Sequence, residues 1–162
     1  MGPKRFIMDA MLGSLARKLR AFGFDALFYR EGGDERLIKA ARESGRVVVT
    51  ADRTLSATLA RKGLGVLLVE GKTDSFRIGV LLARAAEKGM RLEPGDPRCS
   101  VCNGRLRGVR RAEVTARLPD YIVGRHRLFE ECAACHKLYW RGSHWKKLRS
   151  QRRRFLQFVP GV

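Results

Sequence analysis

Arg46-Val47-Val48-Val49-Thr50-Ala51-Asp52-Arg53 is the stretch whose reading decides the fold. Val47 to Thr50 is a short, unbroken run of β-branched residues, the composition of a strand covered on both faces. It stops at Asp52, where a helical pattern opens with Arg53-Thr54-Leu55. A carboxylate at the carboxyl end of a buried parallel strand stands where open α/β sheets build their sites.

On the amino-terminal side, Arg5-Phe6-Ile7-Met8 reads as a strand ending at Asp9. Leu12, Leu15, Ala16, Leu19 and Phe22 then recur at helical spacing until Gly23, a glycine suited to a helix end. Asp25 to Tyr29 is a second strand, and Asp34 opens a helix that Gly45 closes. Beyond the Val47 strand, a helix from about Asp52 to Lys62, a strand from Gly65 to Glu70, and a longer helix from Asp74 to Gly89 continue the alternation. Strands alternating with helices over short turns predict a parallel sheet flanked by helices. The pattern breaks at Glu93-Pro94-Gly95-Asp96-Pro97, which reads as a domain boundary near residue 95.

In a parallel sheet every strand-to-helix junction lies on one edge. Asp9, Asp34, Asp52 and Asp74 occupy four successive junctions, so they can converge on one shallow pocket. Clustered carboxylates repel unless a cation holds them, and hard oxygen ligands suit Mg²⁺ or Mn²⁺. Such an ion beside basic residues is the layout for phosphodiester hydrolysis. Asp34 and Asp74 can equally be helix caps. Asp9 and Asp52 point more strongly to a site, since each ends an apolar strand. Thr50 could bond a carboxylate, or be simply a β-former. A phosphoaspartate site on Asp9 would want a second aspartate two positions on, where Met11 stands.

The chain of 162 residues carries a formal net charge of +18, which argues for a polyanionic partner such as nucleic acid. No apolar run approaches a membrane span and no signal peptide is evident, so a cytoplasmic location is expected. Cys99-Ser100-Val101-Cys102 and Cys132-Ala133-Ala134-Cys135, separated by 29 residues, form two knuckles able to close one structural Zn(Cys)₄ site. Redox-active pairs are the competing reading, and two matching pairs favour the metal. Around the second knuckle, aromatics alternate with cations through Tyr139, Trp140, Arg141, His144, Trp145, Lys146 and Lys147, as in surfaces that stack bases and track phosphates. The charge run from Lys146 to Arg154 is either a basic helix or a disordered tail.

Arg5 to Gly13, Leu15 to Asp25, the Arg46–Arg53 stretch, the paired knuckles and Tyr139 to His144 resemble, in that order, the mut-seven C-terminal RNase domain family. The resemblance implies a PIN-like nuclease domain over 1–95 and a zinc ribbon over 96–149, and it leaves out the basic tail over 150–162. It implies a ribonuclease whose acidic site is Asp9, Asp34 and Asp52, served by Mg²⁺ or Mn²⁺. At Thr73-Asp74-Ser75-Phe76-Arg77 the match is weaker, which leaves Asp74 between cap and ligand. Arg17, Lys18, Arg20 and Arg53, with His144, Trp145, Lys146 and Lys147, are the expected RNA contacts. The substrate class is tRNA, rRNA or other structured or single-stranded RNA, with ribonucleoprotein contact as a further expectation. The rival reading is a non-catalytic RNA- or ribonucleoprotein-binding module that retains the fold.

Overall fold

The computed structural model describes residues 5–30 and 32–157, with the backbone alone for His144. Strands β1 (Phe6–Met8), β2 (Ala26–Phe28), β3 (Val47–Thr50) and β4 (Val66–Leu68) form a parallel sheet in the order β2-β1-β3-β4. Helices α1 (Gly13–Ala21), α2 (Gly33–Ser44), α3 (Arg53–Arg61) and α4 (Asp74–Glu87) connect and flank it. Side chains alternate across the sheet. Phe6, Met8, Val49 and Leu67 pack beneath α1 and α4. Ile7, Val48 and Val66 pack against Leu37 and Ala41 of α2 and Leu55 and Leu59 of α3. All four β3 residues are buried, as an unbroken β-branched run requires.

The order β2-β1-β3-β4 has a consequence for function. The chain leaves β1 towards β2 on one side, and leaves β3 towards β4 on the other. A crevice therefore opens where β1 and β3 adjoin, at their carboxyl ends. Met8 pairs with Val49, which sets Asp9 level with Thr50 and brings Asp52 to the same crevice.

After the sheet, β5 (Leu106–Val109), β6 (Phe129–Cys132) and β7 (Leu138–Trp140) form an antiparallel sheet in that order. Two short helices, α5 (Arg111–Val114) and α6 (Asp120–Arg125), fill the long spacing between the knuckles. The buried Glu131 carboxylate anchors that insertion, accepting from Arg117 at 2.7 Å and pairing with Arg107. The Arg117 bond, with Arg107 beside it, holds the Glu131 carboxyl below the usual carboxylate range.

The charge run resolves into one helix, α7 (Ser143–Leu156). The boundary expected between residues 149 and 150 falls inside it, and only 158–162 of the expected tail lie outside the described residues. Leu148, Phe155 and Leu156 pack on the α/β core, Phe155 with its ring 5.4 Å from that of Phe22. Arg152 donates to the carbonyls of Phe22 and Gly95.

The proline and glycine stretch is bonded to the turn between α1 and β2. The Gly95 N–H donates to Gly23 O at 3.0 Å. Gly23 has φ +97°, and a Cβ there would sit 2.0 Å from the Gly95 carbonyl oxygen. Gly23→Ala should therefore lower the unfolding free energy by about 2 kcal/mol or more. Urea unfolding measures this, and an unchanged midpoint would mean the close approach is dispensable.

Candidate metal sites and nucleic-acid surface

Asp9 leaves β1 with its Oδ1 accepting from the Ala10 N–H at 2.6 Å. Its Oδ2 accepts from Thr50 Oγ1 at 2.8 Å, and that same hydroxyl oxygen accepts the Asp52 N–H at 3.0 Å. The fully buried Thr50 is thus the joint between the two acids. Asp52 caps α3, with its Oδ1 accepting from the Thr54 and Leu55 N–H groups and its Oδ2 outside those bonds. Asp34 lies on the same sheet edge, exposed in the first turn of α2.

These carboxylates share an edge but are spread along it. Among the described residues, the four cysteines are the only group of three or more His, Cys, Asp or Glu side chains close enough to share one ion. Yet in so basic a chain no described cation pairs with Asp9, Asp34 or Asp52. The nearby cations are taken by other acids. Lys18 pairs with Asp74 at 3.2 Å, and Arg53 with Glu70. Mg²⁺ commonly uses one or two carboxylates plus waters and substrate phosphate.

Asp74 is not the cap of α4. The α4 cap is Thr73, whose Oγ1 accepts the Phe76 N–H. Asp74 instead clamps α4 to α1, accepting from Ser14 Oγ at 2.9 Å and pairing with Lys18. Ser14 and Glu70 are contributors to this edge that the linear pattern does not announce.

The cysteine site is formed by two knuckles of the same design. Cys99 N–H donates to Gly104 O and Asn103 N–H to Cys99 O; Cys132 N–H donates to Lys137 O and His136 N–H to Cys132 O. Asn103 and His136 take left-handed backbones at φ 70° and 58°, residue types that tolerate them. A Cβ on Gly104 would lie 2.8 Å from Cys132 Sγ, so this position admits only glycine without displacement. The sequence carries that signal as a glycine two residues past the first knuckle.

All four sulfurs lie within 4.8 Å of one another, with Cys99–Cys135 at 3.5 Å and Cys102–Cys132 at 3.4 Å. That is too long for disulfides and near the roughly 3.8 Å edge of a tetrahedral zinc–thiolate centre. Burial opposes ionisation of Cys99, but bonds from the Tyr139 hydroxyl and the Cys102 and Val101 N–H groups outweigh it and bring the thiol down to about 6. Burial, then the neighbouring sulfurs, push Cys102 up to about 12. Four thiols so crowded ionise together only around a cation, and this donor set fits Zn²⁺ with no open position.

The expected RNA contacts divide. Arg17, Lys146 and Lys147 are exposed. Trp145 carries the guanidinium groups of Arg141 and Arg149 at 4.8 and 5.4 Å from its ring centre. The His144 side chain lies outside the described residues. Arg20 requires correction as an RNA contact. It is 3% exposed, and its guanidinium is spent on the carbonyls of Ala26, Ser100 and Val101.

With this geometry in place, comparison with known proteins gives one match. The model of the Mut7-C RNAse domain family fits residues 4–152. The chain belongs to that family. No curated protein and no solved structure matches it. Family membership makes RNA the expected substrate, and no helix among the described residues is long and apolar enough to cross a membrane. The purified chain should carry one zinc by elemental analysis. Cys102→Ser/Cys132→Ser should carry none; full zinc content in that variant would disprove the four-cysteine site.

Proposed function

We propose that this member of the Mut7-C RNAse family is a metal-dependent endoribonuclease acting at Asp9, Asp34 and Asp52. The observation that carries the reading is the Thr50 joint at the β1/β3 crevice. One hydroxyl joins the Asp9 carboxylate to the Asp52 backbone N–H, and no described protein cation pairs with either acid. Asp9 and Asp52 would hold Mg²⁺ or Mn²⁺, with Asp34 joining from α2 on the side of β2. Such an ion supplies an activated water and neutralises charge at the scissile phosphate. The protein's own part is positioning. Thr50 sets the spacing of the two acids, and the Asp74 clamp fixes α1 against α4. The ion pairs of Lys18 and Arg53 keep those cations from quenching Asp9 and Asp52.

RNA is gripped, on this reading, by the exposed cations Arg17, Lys146, Lys147, Arg153 and Arg154, with Arg53 at the edge itself. Helix α7 contains no acid, and its outward face offers phosphate contacts along about 20 Å. Trp145, covered by two guanidinium groups, contributes a cationic surface more than a free stacking ring. Four zinc-held thiolates suit a reducing, cytoplasmic setting.

A panel of labelled structured and single-stranded RNAs, incubated with Mn²⁺, Mg²⁺ or EDTA, tests the reading. Wild type should cut only with the divalent ion, and Asp9→Asn/Asp52→Asn should lose about a hundredfold or more of that activity while still binding RNA. Equal cutting by both proteins would remove the acids from the reaction. Salt-sensitive binding with no cutting by either would favour a non-catalytic binding module.

A further inference from the structure

Strand β2 is one of the two outer strands of the parallel sheet, and an edge strand presents unpaired N–H and C=O groups. Here the first zinc knuckle meets them. The Ala26 N–H donates to Asn103 Oδ1 at 3.1 Å, and Ala26 O accepts from Arg20 Nε at 2.7 Å. Arg20 Nη1 continues to Ser100 O and Val101 O, both at 2.9 Å and both inside the knuckle. Asn103 Nδ2 donates to Asp25 Oδ1 at 2.8 Å, and Arg98 N–H donates to Arg20 O at 2.9 Å. The knuckle thus stands where a fifth strand would.

Arg20 sits near the end of α1, and the acids lie at its beginning. The Asp9–Leu12 turn leads directly into α1, whose Ser14 and Lys18 hold Asp74. One nine-residue helix, about 14 Å long, therefore touches both metal regions. A Cys-x-x-Cys knuckle closes around its metal and loosens without it. Loosening withdraws the carbonyls of Ser100 and Val101 from a buried guanidinium, which must then move or take up water.

We propose that zinc occupancy at Cys99, Cys102, Cys132 and Cys135 governs the acidic edge of the sheet through α1, with Arg20 as the positioning residue that joins the two. Its functional meaning rests on the reading of Asp9 and Asp52 as the reacting edge; the measurements that test it do not. By linkage, a residue through which zinc steadies α1 must also steady zinc by the same factor.

Amide hydrogen exchange on the full chain, zinc-loaded and after chelation, reads the coupling. Removal of zinc should speed exchange at least tenfold in β2, in α1 and in the turn from Asp9, while α2 and α3 on the opposite face keep their protection. Acceleration confined to residues 99–140, or lost protection across the whole chain including α2 and α3, would overturn the proposal. Arg20→Lys keeps the charge and loses the fork, and Asn103→Gly keeps the left-handed backbone and loses the amide. Both, loaded with zinc, should release it to a competing chelator about tenfold faster than wild type. Release at the wild-type rate in either variant would overturn it. Neither readout involves RNA cleavage, so a chain that fails to cut can still satisfy this test, and one that cuts can still fail it.

Discussion

The parallel pairing of β1 with β3 is the constraint on which the rest of this molecule depends. Both strands are buried on both faces, so a slip of one residue would turn Val48 and Ile7 into the wrong layer. That register leaves no freedom over where the strands end. Asp9 and Thr50 come level, and Thr50 draws the first turn of α3 towards Asp9. A residue that fills a core strand also ties the Asp9 carboxylate to the backbone of Asp52. The crevice follows from topology, because the connections from β1 and β3 depart in opposite directions.

The second half of the chain is joined to this sheet by polar groups whose burial makes them exacting. Asp25 gathers Arg46, Arg98 and Asn103, from two strands' approaches and from the knuckle. Burial alone would raise its carboxyl, and the bonds from Arg46 and Asn103 overcome that and hold it below the ordinary carboxylate range. The set is half-buried, so removing one partner leaves a charge that solvent screens only in part. Helix α7 adds apolar contact on the α1 and α4 side. The cysteine-bearing half is therefore part of the scaffold that shapes the α/β half.

Much of this was legible from residue order. The β-branched run of β3, the acids at successive junctions and the paired knuckles each carry a local signal strong enough to survive without tertiary context. Arg20 shows where reading by residue type fails. As an arginine close to Arg17 and Lys18 it suggests a phosphate contact, yet it stands four residues after Ala16 and eight after Leu12, on the apolar stripe of α1. Helical spacing alone placed it inward. The same holds for α7, where Leu148, Arg152 and Phe155 form an inward stripe within a run that looks uniformly charged. Asp74 was different in kind. Its role depends on Ser14 and Lys18, sixty and fifty-six positions away, and nothing local specifies that meeting.

On the proposed function, Asp9 and Asp52 form a divalent-ion site distinct from the four cysteines, and Mn²⁺ binding tests this most directly. Electron paramagnetic resonance titration of the zinc-loaded chain should show Mn²⁺ bound by wild type. Asp9→Asn/Asp52→Asn should lose that binding with its zinc content unchanged. Undiminished Mn²⁺ binding by the variant, or none by wild type, would contradict the account.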